Sequence, residues 1–154
     1  MLRHPEDRLP VLLVLCLFAV DLAVWWFVRS PWLVAAWTLA SLLPKAFACA
    51  FNHHHQHVAT FTSPVPNRLI ELVLALQTGV TSQAWVLHHS LGHHLNYLDQ
   101  TKDESRWARA DGSRMGEWEY TWITTLTAYP RAWAVGRPVT CTIGNMALMI
   151  MAFE

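Results

Sequence analysis

At 154 residues the chain is at most one domain. Its apolar fraction of 53%, charged fraction of 14% and mean hydropathy of +0.22 are those of a membrane-associated protein rather than an ordinary soluble one. Eleven basic against eleven acidic side chains leave no net field to attract nucleic acid.

The first apolar stretch, residues 10–28, is broken only by Asp21. At 1.5 Å per residue it covers roughly the ~30 Å hydrocarbon core. A secretory signal would need a small-x-small cleavage site after the Val11 to Val20 region. Trp25, Trp26 and Phe27 stand there instead, so an uncleaved transmembrane helix is predicted. A charge inside a span is expensive, and Asp21 is expected to face another helix or the polar end of a cavity. Arg29-Ser30-Pro31 makes a tight break, and residues 32–51 form a second apolar stretch in which Pro44 is expected to introduce a kink. The two together read as a transmembrane hairpin with Trp25, Trp26 and Trp32 at its turn, where an aromatic belt belongs.

Lysine and arginine set the orientation. Arg3 and Arg8 precede the hairpin, and Lys45, Arg68, Lys102, Arg106, Arg109 and Arg114 follow its turn, which holds only Arg29. Both ends of the hairpin are therefore expected in the cytoplasm (the inner membrane in a bacterium). Lys45 is expected to snorkel to the lipid boundary, and a helix continuing past Pro44 would carry His53 about 12 Å above it. Residues 63–67, Ser-Pro-Val-Pro-Asn, are expected to break the chain. Residues 69–87 read as one or two amphipathic helices on or under the membrane surface. Residues 97–119 read as a polar cytoplasmic segment, residues 120–138 as interfacial, and residues 139–153 as part of a further transmembrane helix, short of the ~17–25 residues that a span requires. Cys16, Cys49 and Cys141 lie in apolar runs without CxxC spacing, so they are expected to be small buried side chains rather than disulfides or metal ligands.

Eight of the nine histidines fall in two knots, at residues 52–57 (Asn-His-His-His-Gln-His) and 88–94 (His-His-Ser-Leu-Gly-His-His). Crowded imidazoles repel when protonated and need partners when buried and neutral; a transition metal resolves both difficulties. On a helix, His53 and His57 at i, i+4 share a face, and His89 and His93 repeat the relation. His93 and His94 diverge by about 100° and suit two different ions. The spacing points to a dinuclear site. Softness of the ligands allows iron, zinc, copper or nickel. Neither knot holds the glutamate of an HExxH zinc hydrolase. Asp99, Asp103 and Glu104 follow the second knot and are either acceptors that orient the imidazoles or a solvated run paired with Lys102 and Arg106. His4, in a polar tail, is a bystander.

The two knots, in this order and after a membrane hairpin, resemble the histidine boxes of the membrane fatty acid desaturase/hydroxylase superfamily. His53 to His57 is similar to its HxxxH box, and His89 to His94 to its HxxxHH box. The resemblance implies an all-α integral membrane fold and a non-haem di-iron centre that uses O₂ to oxidise a fatty acyl or alkyl chain. It assigns His53, His57, His89, His93 and His94 as metal ligands, with His54, His55 and His88 in a second tier. The expected function is desaturation, ahead of hydroxylation, of a lipid chain, with electrons from a separate ferredoxin-type or similar donor, since no haem-binding or Cys₄ motif is present. The family carries a third box, and no histidine follows His94. The chain is therefore expected to be the N-terminal part of a longer enzyme and inactive by itself. Other expectations compatible with the residues are an alkane, sterol or carotenoid hydroxylase fragment and a non-enzymatic metal-binding membrane protein. A transporter fits less well, because the histidines lie outside the lipid core.

Overall fold

A computed structural model describes residues 1–139, and they are helical throughout apart from turns and two isolated bridges, Leu2 with Phe61 and Ala108 with Arg114. They fall into two compact units, Met1–Thr81 and a second that begins at Ser82. Of the apolar tail expected over residues 139–153, all but Val139, Cys141 included, lies outside the described residues.

In the first unit a 3₁₀ turn, Pro5–Asp7, leads into α1, Arg8–Phe27. The segment Pro5–Phe27 is long and apolar enough to cross a membrane. It is apolar all round rather than on one stripe, and of its side chains from Arg8 onward only Val14 is buried. Trp25, Trp26, Phe27 and Trp32 are exposed around the short connection to α2, Pro31–Ala40. The second apolar stretch is not one straight span. It breaks at Ser41 and bends by 50° into α3, Leu42–His57. The cause is Pro44, which has no N–H to give the carbonyl four residues back and whose ring crowds it. Ser41 closes the break, its N–H donating to the Trp37 carbonyl at 2.8 Å and its hydroxyl to that of Thr38 at 3.0 Å. Asp21 does face another helix: it accepts from Trp37 Nε1 at 2.8 Å and pairs with Lys45 Nζ at 3.3 Å. Lys45 is thus held by a carboxylate instead of reaching outward alone.

Residues 63–67 start a helix rather than break the chain. Pro64 occupies the first turn of α4, Pro64–Thr78, where a missing N–H costs nothing. Asn67 ties α4 to the preceding loop, accepting the Phe61 N–H at 2.8 Å and donating to the Phe61 and Ser63 carbonyls. Gly79 ends α4 at φ 72°, the left-handed conformation that glycine adopts without strain. The core of this unit is Val14, Ala48, Phe51, Ile70 and Leu74, drawn from α1, α3 and α4. Buried Gln77 donates to the Val14 carbonyl at 2.7 Å. Cys16 and Cys49, expected inside, are exposed, because these helices carry apolar residues on their outer faces too.

The second unit starts with α5, Ser82–Trp85, which opens into a π-helical stretch over Val86–His93 and closes with a 3₁₀ turn, His94–Asn96. A loop then runs to α6, Glu117–Val139, which packs along the π-helical stretch. The loop folds back on the second histidine knot: the Glu104 N–H donates to the Gly92 carbonyl at 3.2 Å. A Cβ on Gly92 would overlap Glu104 Cγ and crowd its Cβ at 3.1 Å and the Leu87 carbonyl oxygen at 3.2 Å, so glycine is what admits the loop here. Gly92→Ala is therefore expected to cost about 1–3 kcal/mol through overpacking. Hydrogen exchange should show residues 98–105 losing protection; unchanged protection would contradict the close approach.

Candidate metal centre

Helical periodicity sorts the first knot by face. His53 and His57, one turn apart at the end of α3, are both exposed, with their Nε2 atoms 3.1 Å apart and ring centroids at 4.9 Å. His55 lies about 200° round the helix from His53 and points into the unit. Its Nδ1 lies 2.8 Å from the Thr60 hydroxyl and 3.4 Å from the Thr60 main-chain N–H, and its Nε2 lies 3.5 Å from Glu71 Oε1. An N–H aimed at Nδ1 makes that atom the acceptor in the neutral ring, leaving Nε2–H toward Glu71. Both nitrogens of His55 are thereby engaged. His54 sits between, 3.6 Å from Asp7 Oδ1. In the sequence Glu71 shows only as an acid interrupting the apolar stretch after residue 69, and Thr60 gives no signal.

The second knot departs from the expected geometry. In the π-helical stretch the His94 N–H donates to the His89 carbonyl, five residues back. The wider turn sets His94, not His93, over His89: their Nε2 atoms are 3.1 Å apart, and their rings meet edge-on with centroids at 4.6 Å. The i, i+4 pairing of His89 with His93 is replaced by this i, i+5 pairing, with the His89 and His93 centroids 5.4 Å apart. Tyr97 flanks His93 and Trp85 flanks His89. His88 has a buried Nε2 with no hydrogen-bond partner. Burial, helped by the Arg131 and His93 charges and opposed by Asp103, pushes its pKa down toward the neutral ring.

Of the three acids after the knot, Asp103 alone reaches a histidine. Its Oδ1 accepts from His93 Nδ1 at 2.8 Å and from the Ser105 N–H at 2.7 Å, and its Oδ2 from the Leu98 N–H at 3.0 Å. The side chain is 1% exposed. Burial by itself raises its pKa; the hydrogen bonds from His93, Ser105 and Leu98, together with the His93 charge, outweigh it and leave the carboxyl below its usual range. Asp99 instead caps its own turn through Thr101, and Glu104 pairs with Arg131 at 3.8 Å. Lys102 pairs with Asp99, at 4.0 Å on the surface.

The donor chemistry suits a transition metal. Two imidazole nitrogens bound to one ion at about 2.1 Å and right angles stand about 3.0 Å apart, close to the spacing within each Nε2 pair. A carboxylate behind a histidine is the usual support for a metal-binding ring. In the first unit, a half-open groove of about 430 Å³ lined by Leu13, Val14, Cys16, Leu17, Val20, Pro44 and Phe47 offers an apolar surface between α1 and α3. No protein-family model matches the chain, and neither the curated proteins nor the solved structures give a match.

The two kinds of histidine should respond differently to truncation. His55→Ala leaves Thr60 and Glu71 short of a buried partner and is expected to cost about 1–3 kcal/mol in stability. His57→Ala, on the exposed face, should cost less than about 0.5 kcal/mol. Unfolding of the detergent-solubilised variants measures both, and equal losses would contradict the division of roles.

Proposed function

We propose that the two knots supply ligands to a non-haem di-iron centre for O₂-dependent oxidation of a fatty acyl or related lipid chain, with desaturation ahead of hydroxylation. The observation that carries this reading is the pairing of Nε2 atoms at 3.1 Å in both knots, His53 with His57 and His89 with His94. His93, backed by Asp103, is the fifth ligand. His54 and His88 stay in a second tier, and His55 becomes a support for the fold. When bound, the centre supplies O₂ activation and removal of hydrogen from an unactivated C–H.

In the overall balance of desaturation, two hydrogens leave the lipid chain. Two electrons and two protons come from the donor side, and O₂ becomes two waters. The protein's part is to hold the ligands, exclude bulk water and seat the lipid chain on an apolar surface. The apolar helix Pro5–Phe27 supports integral membrane placement. The lysine and arginine distribution favours histidines on the cytoplasmic side. The electron donor is a separate ferredoxin-type or similar protein.

Anaerobic loading of the detergent-purified chain with Fe(II) tests this reading. His57→Ala and His94→Ala should each weaken iron binding at least about 10-fold, and the reduced, iron-loaded chain should consume O₂ without turning over a lipid chain, as expected of two histidine boxes alone. Tight zinc binding with no reaction of the iron form toward O₂ would instead identify a metal-handling membrane protein.

A further inference from the structure

We propose that Asp103 is the positioning residue of the second knot: it fixes His93 as the Nδ1–H tautomer and so makes Nε2 the atom presented to a metal. The proposal deepens the metal-centre reading above and, for its metal-binding part, rests on it. Its geometric part stands by itself.

A deprotonated carboxylate only accepts, and Asp103 is surrounded by donors: His93 Nδ1, the Leu98 N–H and the Ser105 N–H. Among the described residues only hydrogen-bond donors face those two oxygens, so the proton on the neutral His93 ring must lie on Nδ1. The second nitrogen is then a lone-pair donor.

The surroundings are built to hold this contact. Leu98, whose N–H points at Oδ2, is the one non-glycine among the described residues with positive φ, at 65°. A leucine in the left-handed region costs about 1–2 kcal/mol, which its neighbours must offset. Asp103 is anchored by its main chain as well: its N–H donates to the Asp99 carbonyl at 2.7 Å. Next to it, the Glu104 N–H docks on Gly92, and Arg131 of α6 donates to the Glu104 carbonyl at 2.8 Å. The loop is thus clamped at the residue after the acid, Glu104, by the π-helical stretch and by α6. That clamping sets the position of His93 to within a hydrogen bond, and it explains why Gly92 lies inside the knot.

Asp103→Asn is the informative substitution, because it keeps shape while placing an amide N–H₂ against donors. Turned toward Leu98, the amide faces an N–H; turned the other way, it faces Ser105 and forces His93 to accept at Nδ1, moving the proton to Nε2. The full chain in detergent, labelled with ¹⁵N-histidine, gives the tautomer directly by NMR without any metal. Wild type should show His93 protonated at Nδ1, with Asp103→Asn shifting that population and Asp99→Asn leaving it unchanged. Titration with Co(II), followed by its visible absorption bands, reads the metal side. Asp103→Asn and Asp103→Ala should weaken binding about 10–100-fold and alter the band positions, with Asp103→Glu recovering part of the loss. A wild-type His93 protonated at Nε2 would overturn the proposal whatever the metal result. So would equal Co(II) affinity and identical bands in wild type and Asp103→Asn, given that His93→Ala weakens binding. With the Nδ1–H tautomer found but no Co(II) bound by wild type, the metal-centre reading fails and the metal-presenting role of Asp103 falls with it.

Discussion

A carboxylate that is 1% exposed is tolerated only where donors replace the water it has lost, and Asp103 has three of them. Much of the described second unit can be traced from that requirement. Two of the donors are main-chain N–H groups from its own loop, which therefore wraps around the side chain and carries Leu98 into an unfavourable backbone region. The third is His93, so the loop also grips the second histidine knot. Gly92 gives the clearance for this grip and Arg131 closes it from the α6 side. A single buried charge thus links a polar loop, a π-helical stretch and α6.

The first unit solves a similar problem by simple periodicity. Four histidines in five positions on one α-helix cannot share an environment. The turn of α3 sends His53 and His57 outward as a pair and His55 inward to Thr60 and Glu71. The inward ring is neutralised in its demands by partners that satisfy both nitrogens. The outward pair has its nitrogens close together at a spacing that matches adjacent ligands of one ion. Residue type is the same at all three positions; helix phase alone divides support from candidate ligand.

Much of this was legible from residue order. Apolar run length matches the long apolar helix α1, Asp21 inside it demands a partner, Pro44 accounts for the bend, and the i, i+4 spacing of His53 and His57 accounts for their pairing. The π-helical stretch was not legible, because an apolar pattern read at 3.6 residues per turn has no term for a widened turn. His89 therefore seemed to match His93 when it matches His94. Asp103 could be named but not distinguished from Asp99 and Glu104, since only the fold of the loop decides which acid reaches a ring. Glu71 shows in residue order only as an acid interrupting an apolar stretch, because nothing there pairs it with His55, which stands among the candidate ligands. Residues 63–67 read as a break because proline interrupts a helix, yet Pro64 suits the first turn of one.

The histidine pairs are proposed to form a metal-binding centre. X-ray absorption at the iron edge of the full chain, loaded with Fe(II) under anaerobic conditions, tests it most directly, because imidazole rings give a distinctive outer-shell scattering pattern. An imidazole-dominated first shell that loses ring scattering in a His53→Ala/His57→Ala variant is expected. A shell of oxygen ligands alone, unchanged by that substitution, would contradict it.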